Sequence, residues 1–182
     1  LKTNGQNLTI YGFVGENSTA TRALNISNSL VTLTTGNWYN SVATGMTLTS
    51  TGSTIALTSA TVSQGFLGAT FTYNNIQIAP GSGILTFSGA FTFANMTMSS
   101  AGTKTVKFTK NTTYTMTGSN FLSGTAGNLI TIASDDGATQ WTLSKASGTV
   151  IADYVSMNRS NATGGATFYL TANSSGTGNT GW

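Results

Sequence analysis

Phe71–Ile78 reads FTYNNIQI and, twenty residues on, Phe91–Met98 reads FTFANMTM. Aromatic, Asn and aliphatic residues return in the same order. Within the first copy Phe71 and Tyr73 sit at odd positions and Ile76 and Ile78 at even ones. Side chains alternate across a strand with a period of two, so an unbroken flat strand would send these pairs to opposite faces. A corner at Asn74-Asn75 lets both pairs face inward, and Asn tolerates the left-handed backbone that such a corner often needs. Asn95 recurs at the same station, and amides stacked at the strand repeat form a hydrogen-bonded ladder.

Working outward, apolar-x-apolar pairs fall into three columns. The first runs Leu24/Ile26, Met46/Leu48, Phe71/Tyr73, Phe91/Phe93 and Tyr114/Met116, with aromatic residues expected to stack between turns. The second runs Val31/Leu33, Ile55/Leu57, Ile76/Ile78 and Met96/Met98, closing on Phe121. The third runs Leu85/Phe87, Val106/Phe108 and Ile130/Ile132. Three columns advancing together predict an all-β, three-sided parallel solenoid with rungs of about 20–25 residues. One domain spans 1–182, with regular rungs over about 24–132 and a closing region over about 133–182. No turn is stable alone: it buries too few side chains to offset the entropy of ordering its backbone, and only stacking completes its hydrogen bonds. A β-sandwich also has short, evenly spaced strands. It requires hairpins, though, and the Asn-Gly or Asp-Gly signal appears mainly at Asp136-Gly137.

Only 6% of residues are charged, with Thr, Ser, Asn and Gly in their place. This suits strands and tight turns. The net charge of +3 reflects scarce acids. Lys104, Lys107 and Lys110 read as a solvated strand edge, not a nucleic-acid site. No apolar run is long enough for a membrane-spanning helix. The chain starts at Leu1 with no initiator Met and no visible signal peptide, as expected of a processed product or a portion of something longer.

The absence of Cys and His excludes disulfides, thiolate sites and Ser/His/Asp or Cys/His catalysis, and no cofactor or metal is implied. The acids are Glu16, Asp135, Asp136 and Asp153. Asp135-Asp136-Gly137 is first of all a turn, and Asp153 is a candidate partner for Arg159 or Lys145. So few carboxylates argue against a lyase or glycosidase, and the chain is read as a non-enzyme. GTGNTG at Gly176–Gly181 matches a dinucleotide fingerprint in letters only, since the motif works only between a strand and a helix whose N-terminus binds the pyrophosphate. Trp141 belongs to the core pair Trp141/Leu143. Trp38-Tyr39, in the turn-like GNWYN, is the candidate contact surface. Sequons begin at Asn7, Asn17, Asn25, Asn95, Asn111, Asn158, Asn161 and Asn173, and are glycosylation acceptors if the chain is exported from a cell with that machinery. Thr-x-Thr recurs at Thr32/Thr34, Thr47/Thr49 and Thr103/Thr105. These pairs are scattered among the columns, so an ice-binding face is set aside and Thr is read as the outward partner of alternating strands.

The last sixty residues carry a resemblance. SGTAGNLITI from Ser123, the WTLSKASGTV block from Trp141, DYVSM from Asp153, SNATGGAT from Ser160 and the closing NTGW resemble the end of right-handed parallel β-helix proteins of tailed-phage virions and bacterial surfaces. FTYNNIQI and KTVKFTK fit more loosely. Phe168 stands where similar sequences often have Trp, and the chain stops at Trp182 where they usually continue with a few apolar residues. The resemblance implies a right-handed coil and a non-catalytic module of a virion, such as a tail fibre, spike or decoration domain. It implies self-association as a trimer or contact with other virion proteins, and outer faces that meet a host surface glycan. The alternative is a cell-surface adhesin or the subunit of an extracellular filament that polymerises end to end. Either places the chain on a virion or outside a cell.

Overall fold

The computed structural model describes residues 1–15, 20–41 and 43–182. It is an all-β parallel solenoid of about seven turns, with no helix among the described residues. The first turn holds β1 (Leu8–Ile10), β2 (Phe13–Gly15) and β3 (Arg22–Asn25), and the second β4 (Leu30–Leu33), β5 (Trp38–Asn40) and β6 (Met46–Thr49). Then come β7 (Thr54–Leu57), β8 (Gln64–Leu67), β9 (Thr72–Ile78), β10 (Ile84–Ser88), β11 (Phe91–Met98), β12 (Lys104–Phe108) and β13 (Thr113–Met116). The coil ends with β14 (Ile130–Ser134), β15 (Trp141–Ser144), β16 (Thr149–Ala152), β17 (Val155–Asn158), β18 (Ser160–Thr163), β19 (Thr167–Leu170) and β20 (Ser175–Thr177).

Every strand pairing is parallel, and turn lies on turn. Phe93 pairs with Tyr73, Met96 with Ile76 and Met98 with Ile78. The Thr92 amide donates to the Phe71 carbonyl at 2.9 Å, which sets Phe91 over Phe71. The third side is one eight-stranded sheet, β2-β5-β8-β10-β12-β14-β17-β20. The other eight-stranded sheet, β1-β4-β7-β9-β11-β13-β15-β18, changes side on its way. It begins on the second side, and β9 and β11 each bend round the corner, so that β7 pairs with the second half of β9 while β13 pairs with the first half of β11. From β13 on, this sheet is the first side.

The corner falls where the parity change puts it: Tyr73 and Ile76 are buried and Asn74 and Asn75 half-buried between them. Asn95 Nδ2 donates to Asn75 Oδ1 at 2.9 Å, and Asn95 Oδ1 accepts the amides of Ser119 and Asn120 in the next turn. The amide ladder therefore crosses three turns. Its backbone stays within strands; the left-handed conformation occurs at this corner in the two preceding turns, at Gly52 (φ 69°) and Asn28 (φ 56°), where the corner separates two strands.

Three expectations need correcting. Leu24 pairs with Leu48, and Val106 with Ile132 opposite Lys104 with Ile130, each shifted by two residues from the column order. A slip of two keeps every side chain on its own face, so alternation cannot detect it. The ladder also extends beyond 24–132 in both directions. Leu8 pairs with Val31 and Phe13 with Trp38, and β15 to β20 continue the stack with small residues such as Ser160 and Ala162 at inward stations. Finally, the stacked aromatics climb the third side and then cross from Phe108 to Trp141 on the first side. Phe13–Trp38 centroids lie 4.3 Å apart, Phe87–Phe108 5.1 Å and Phe108–Trp141 4.1 Å, each near parallel. The first-side rings Tyr73, Phe91 and Tyr114 meet one another edge-on.

Candidate contact surfaces

The third side separates Trp38 from Tyr39. Alternation turns Trp38 inward, where it is 1% exposed and its indole N–H donates to the Tyr73 hydroxyl at 3.1 Å. Trp38 is therefore core, and of the expected contact pair only Tyr39, 45% exposed, faces out. Tyr39 borders a shallow cleft of about 250 Å³ with Asn37, Leu67, Thr86 and Ser88, floored by Gly65 and Phe66. The cleft exists because Gly65 has no side chain between Asn37 and Thr86. The Gly65 amide donates to Asn37 Oδ1 at 2.7 Å, which fixes that wall. A Cβ at Gly65 would meet only Asn37, at 3.6 Å, so the gap does not arise from steric need.

A larger groove of about 520 Å³ opens on the second side, where no strand stands between β11 and β16. Met98, Phe121 and Ile151 give it apolar walls, and Ser100, Asn120 and Thr149 polar ones. The Met96 amide donates to the Asn120 carbonyl, so Phe121 does follow Met96 in the second column.

The carboxylates are committed to turns. Asp136 accepts the amides of Thr139 and Ala138 at 2.9 Å and the Ser134 hydroxyl at 3.0 Å, and these bonds hold it well below the usual carboxylate range. It also pairs with Lys110 at 3.2 Å. Asp135 Oδ1 accepts the Lys110 amide. Asp153 accepts the Thr171 hydroxyl, Asn173 Nδ2 and the Tyr154 amide, with Thr171 lowering its pKa most. Neither Lys145 nor Arg159 is its partner: Lys145 Nζ donates to the Thr117 and Gly118 carbonyls, and Arg159 lies against Gly178. Among the described residues no three acids gather as a metal site. Glu16 lies outside the described residues.

Lys104 is not the solvated edge that its spacing suggested. It is buried at an inward station, its Nζ donates to the Ser59 carbonyl at 2.9 Å, and desolvation pulls its pKa below the ordinary lysine value. Tyr73 and Tyr114 are pushed up to about 12, mainly by burial.

Of the sequon asparagines, Asn7, Asn111 and Asn173 are exposed, and Asn173 is bonded to Asp153. Asn25 Oδ1 holds the Ser27 amide, and Asn158 and Asn161 accept the hydroxyls of Thr177 and Thr180. Asn95 is the rung of the corner ladder. Asn17 lies outside the described residues.

Sequence reasoning missed the threonine files of the first side. Thr72, Thr92, Thr115, Ser144 and Thr163 stand in one line of register across β9, β11, β13, β15 and β18, and Thr113, Thr142, Asn161 and Thr180 in a second. Unequal turn lengths hide both lines: Tyr114 and Leu143 are 29 residues apart and stack directly, whereas Leu143 and Ala162 are 19 apart. Comparison with known proteins finds no family model, no curated protein and no solved structure that matches this chain.

Proposed function

We propose that the chain is a non-catalytic structural module of a phage virion, of the tail fibre, spike or decoration kind, that meets a host glycan on its third side. The support for the setting is the resemblance of the C-terminal sixty residues. The support for the contact is one observation: Tyr39 stands outward beside a cleft that a single side chain at Gly65 would fill. An exposed aromatic face flanked by neutral Asn, Thr and Ser is what the apolar face and hydroxyls of a pyranose ring require. The laddered coil would hold that surface rigid.

The test is glycan-array binding by the wild type, Tyr39→Ala and Gly65→Thr, with electron microscopy of native particles. The reading expects binding that both variants lose while unfolding temperatures hold, since Thr is a good strand former and space exists for it. Symmetric density on a capsid or tail supports the virion setting. A free fibre with a helical repeat would replace it with the filament alternative, and glycan binding indifferent to both substitutions would remove Tyr39.

A further inference from the structure

We propose that the first side is an ice-binding face, a function that goes beyond the reading above and does not depend on it. The two threonine files lie on neighbouring parallel strands. Residues in one file are therefore about 4.8 Å apart along the stack, and the files, two residues apart along each strand, are separated by about 6.6 Å. This is a two-dimensional grid of hydroxyls with repeats close to those of water oxygens on the faces of hexagonal ice.

Three further features suit it to ordered water. First, the hydroxyls are free. Thr34, Thr58, Thr109 and Thr117, at strand ends, bond to the carbonyls of Ile10, Leu33, Phe87 and Phe93 in the preceding turn. By contrast Thr72, Thr92, Thr113, Thr115, Thr142, Ser144 and Thr163 donate to no protein group among the described residues. Only at the last rung does Thr180 turn its hydroxyl to Asn161, at 2.8 Å. Second, the grid is stiff. β-branched Thr has few side-chain conformations, and beneath the files Tyr114, Leu143 and Phe93 are fully buried on one continuous ladder. Third, both files are free of charge and of aromatic rings. A charge would hold water in its own orientation, and the methyl groups between hydroxyls instead favour a cage-like first water layer. The lack of an aromatic platform also argues against a crystalline polysaccharide on this face, where sugar rings would seek one.

The experiment grows an ice front slowly through a solution of the full chain and measures protein taken into the ice against a globular reference, alongside ice-crystal shape and thermal hysteresis. Thr115→Lys and Thr142→Lys each place a charge in the middle of the grid. Thr131→Lys places one on the third side as a control, and circular dichroism and thermal unfolding check that each variant is folded. The proposal expects the wild type and Thr131→Lys to enrich in ice and shape its crystals, and both grid variants to be excluded like the reference. Exclusion of the wild type from ice overturns it, as does enrichment that survives both grid substitutions. Binding of the wild type to microcrystalline cellulose without entry into ice overturns it in favour of the polysaccharide.

Discussion

Trp38 and Trp141 are both fully buried in one aromatic pile, yet their N–H groups differ. Trp38 donates to Tyr73, while Trp141 Nε1 has no partner among the described residues. An unpaired buried donor costs about 1–3 kcal/mol, and a bonded one contributes about 1. Both Trp→Phe changes lose ring volume, but Trp141→Phe also removes the unpaired donor. Chemical denaturation should show Trp38→Phe to be the more destabilising by about 2 kcal/mol. Equal losses would mean that the Trp38–Tyr73 bond contributes nothing. Thr70 is a second such residue: exposed, β-branched and held at φ 63°. Left-handed backbone costs an L-residue about 1–2 kcal/mol that glycine does not incur. Part of that gain is lost to glycine's greater freedom when unfolded. Thr70→Gly should therefore raise stability modestly, by about 0.5–1 kcal/mol, and a lower midpoint in denaturant would refute this.

The corner strands β9 and β11 show how a short motif controls a long element. Each keeps ladder bonds on both sides of an Asn pair or of Asn95, so one strand serves two sides. Asn95 makes three side-chain bonds, to Asn75, Ser119 and Asn120, whereas Asn74 makes one, to the Ser53 carbonyl. At about 0.5–1.5 kcal/mol per bond, Asn95→Ala should cost about 2 kcal/mol and Asn74→Ala about 1. The same three bonds leave the Asn95 amide no room for a sugar. After expression in a glycosylating host, peptide mapping should find Asn95 unmodified, and occupancy there in folded protein would contradict the ladder. This corner was legible because a parity change within eight residues is a local signal. Register was less so: Arg22 opposite Met46 and Lys104 opposite Ile130 show polar residues at inward stations, where counting apolar pairs slips by two. Trp38 was misplaced for a related reason. Its turn-like neighbours Gly36 and Asn37 concealed a strand of three residues. The threonine files could not be read at all before register was known, because no fixed interval joins their members.

At the scale of the whole coil, ionisation of a buried group is felt through the stack, since each turn is stable only on its neighbours. Tyr73 and Tyr114 lie in its middle, fully buried, with their hydroxyls donating to the Gly68 and Phe87 carbonyls. Burial raises both from 10.0 to about 12. Between those values the unfolded chain has released the two protons and the folded chain still holds them. The unfolded state therefore binds fewer protons, and stability falls as pH rises. Each tenfold step in proton concentration is worth about 1.4 kcal/mol per group, so the two together remove a few kcal/mol across the window. Lys104 acts with the opposite sign. Its folded pKa is depressed, so the unfolded state binds more protons and stability rises as pH climbs from that depressed value towards the ordinary one of 10.5. Urea midpoints should therefore rise gently on approach to pH 10 and fall steeply beyond it. Lys104→Met should flatten the rise, and Tyr73→Phe or Tyr114→Phe should each remove about half of the fall. The part of the tyrosinate absorbance that Tyr73→Phe and Tyr114→Phe remove should appear only with unfolding. If that part of the signal grows in while the far-ultraviolet β spectrum stays intact, water reaches these two hydroxyls in the folded coil, and the turns do not seal one another.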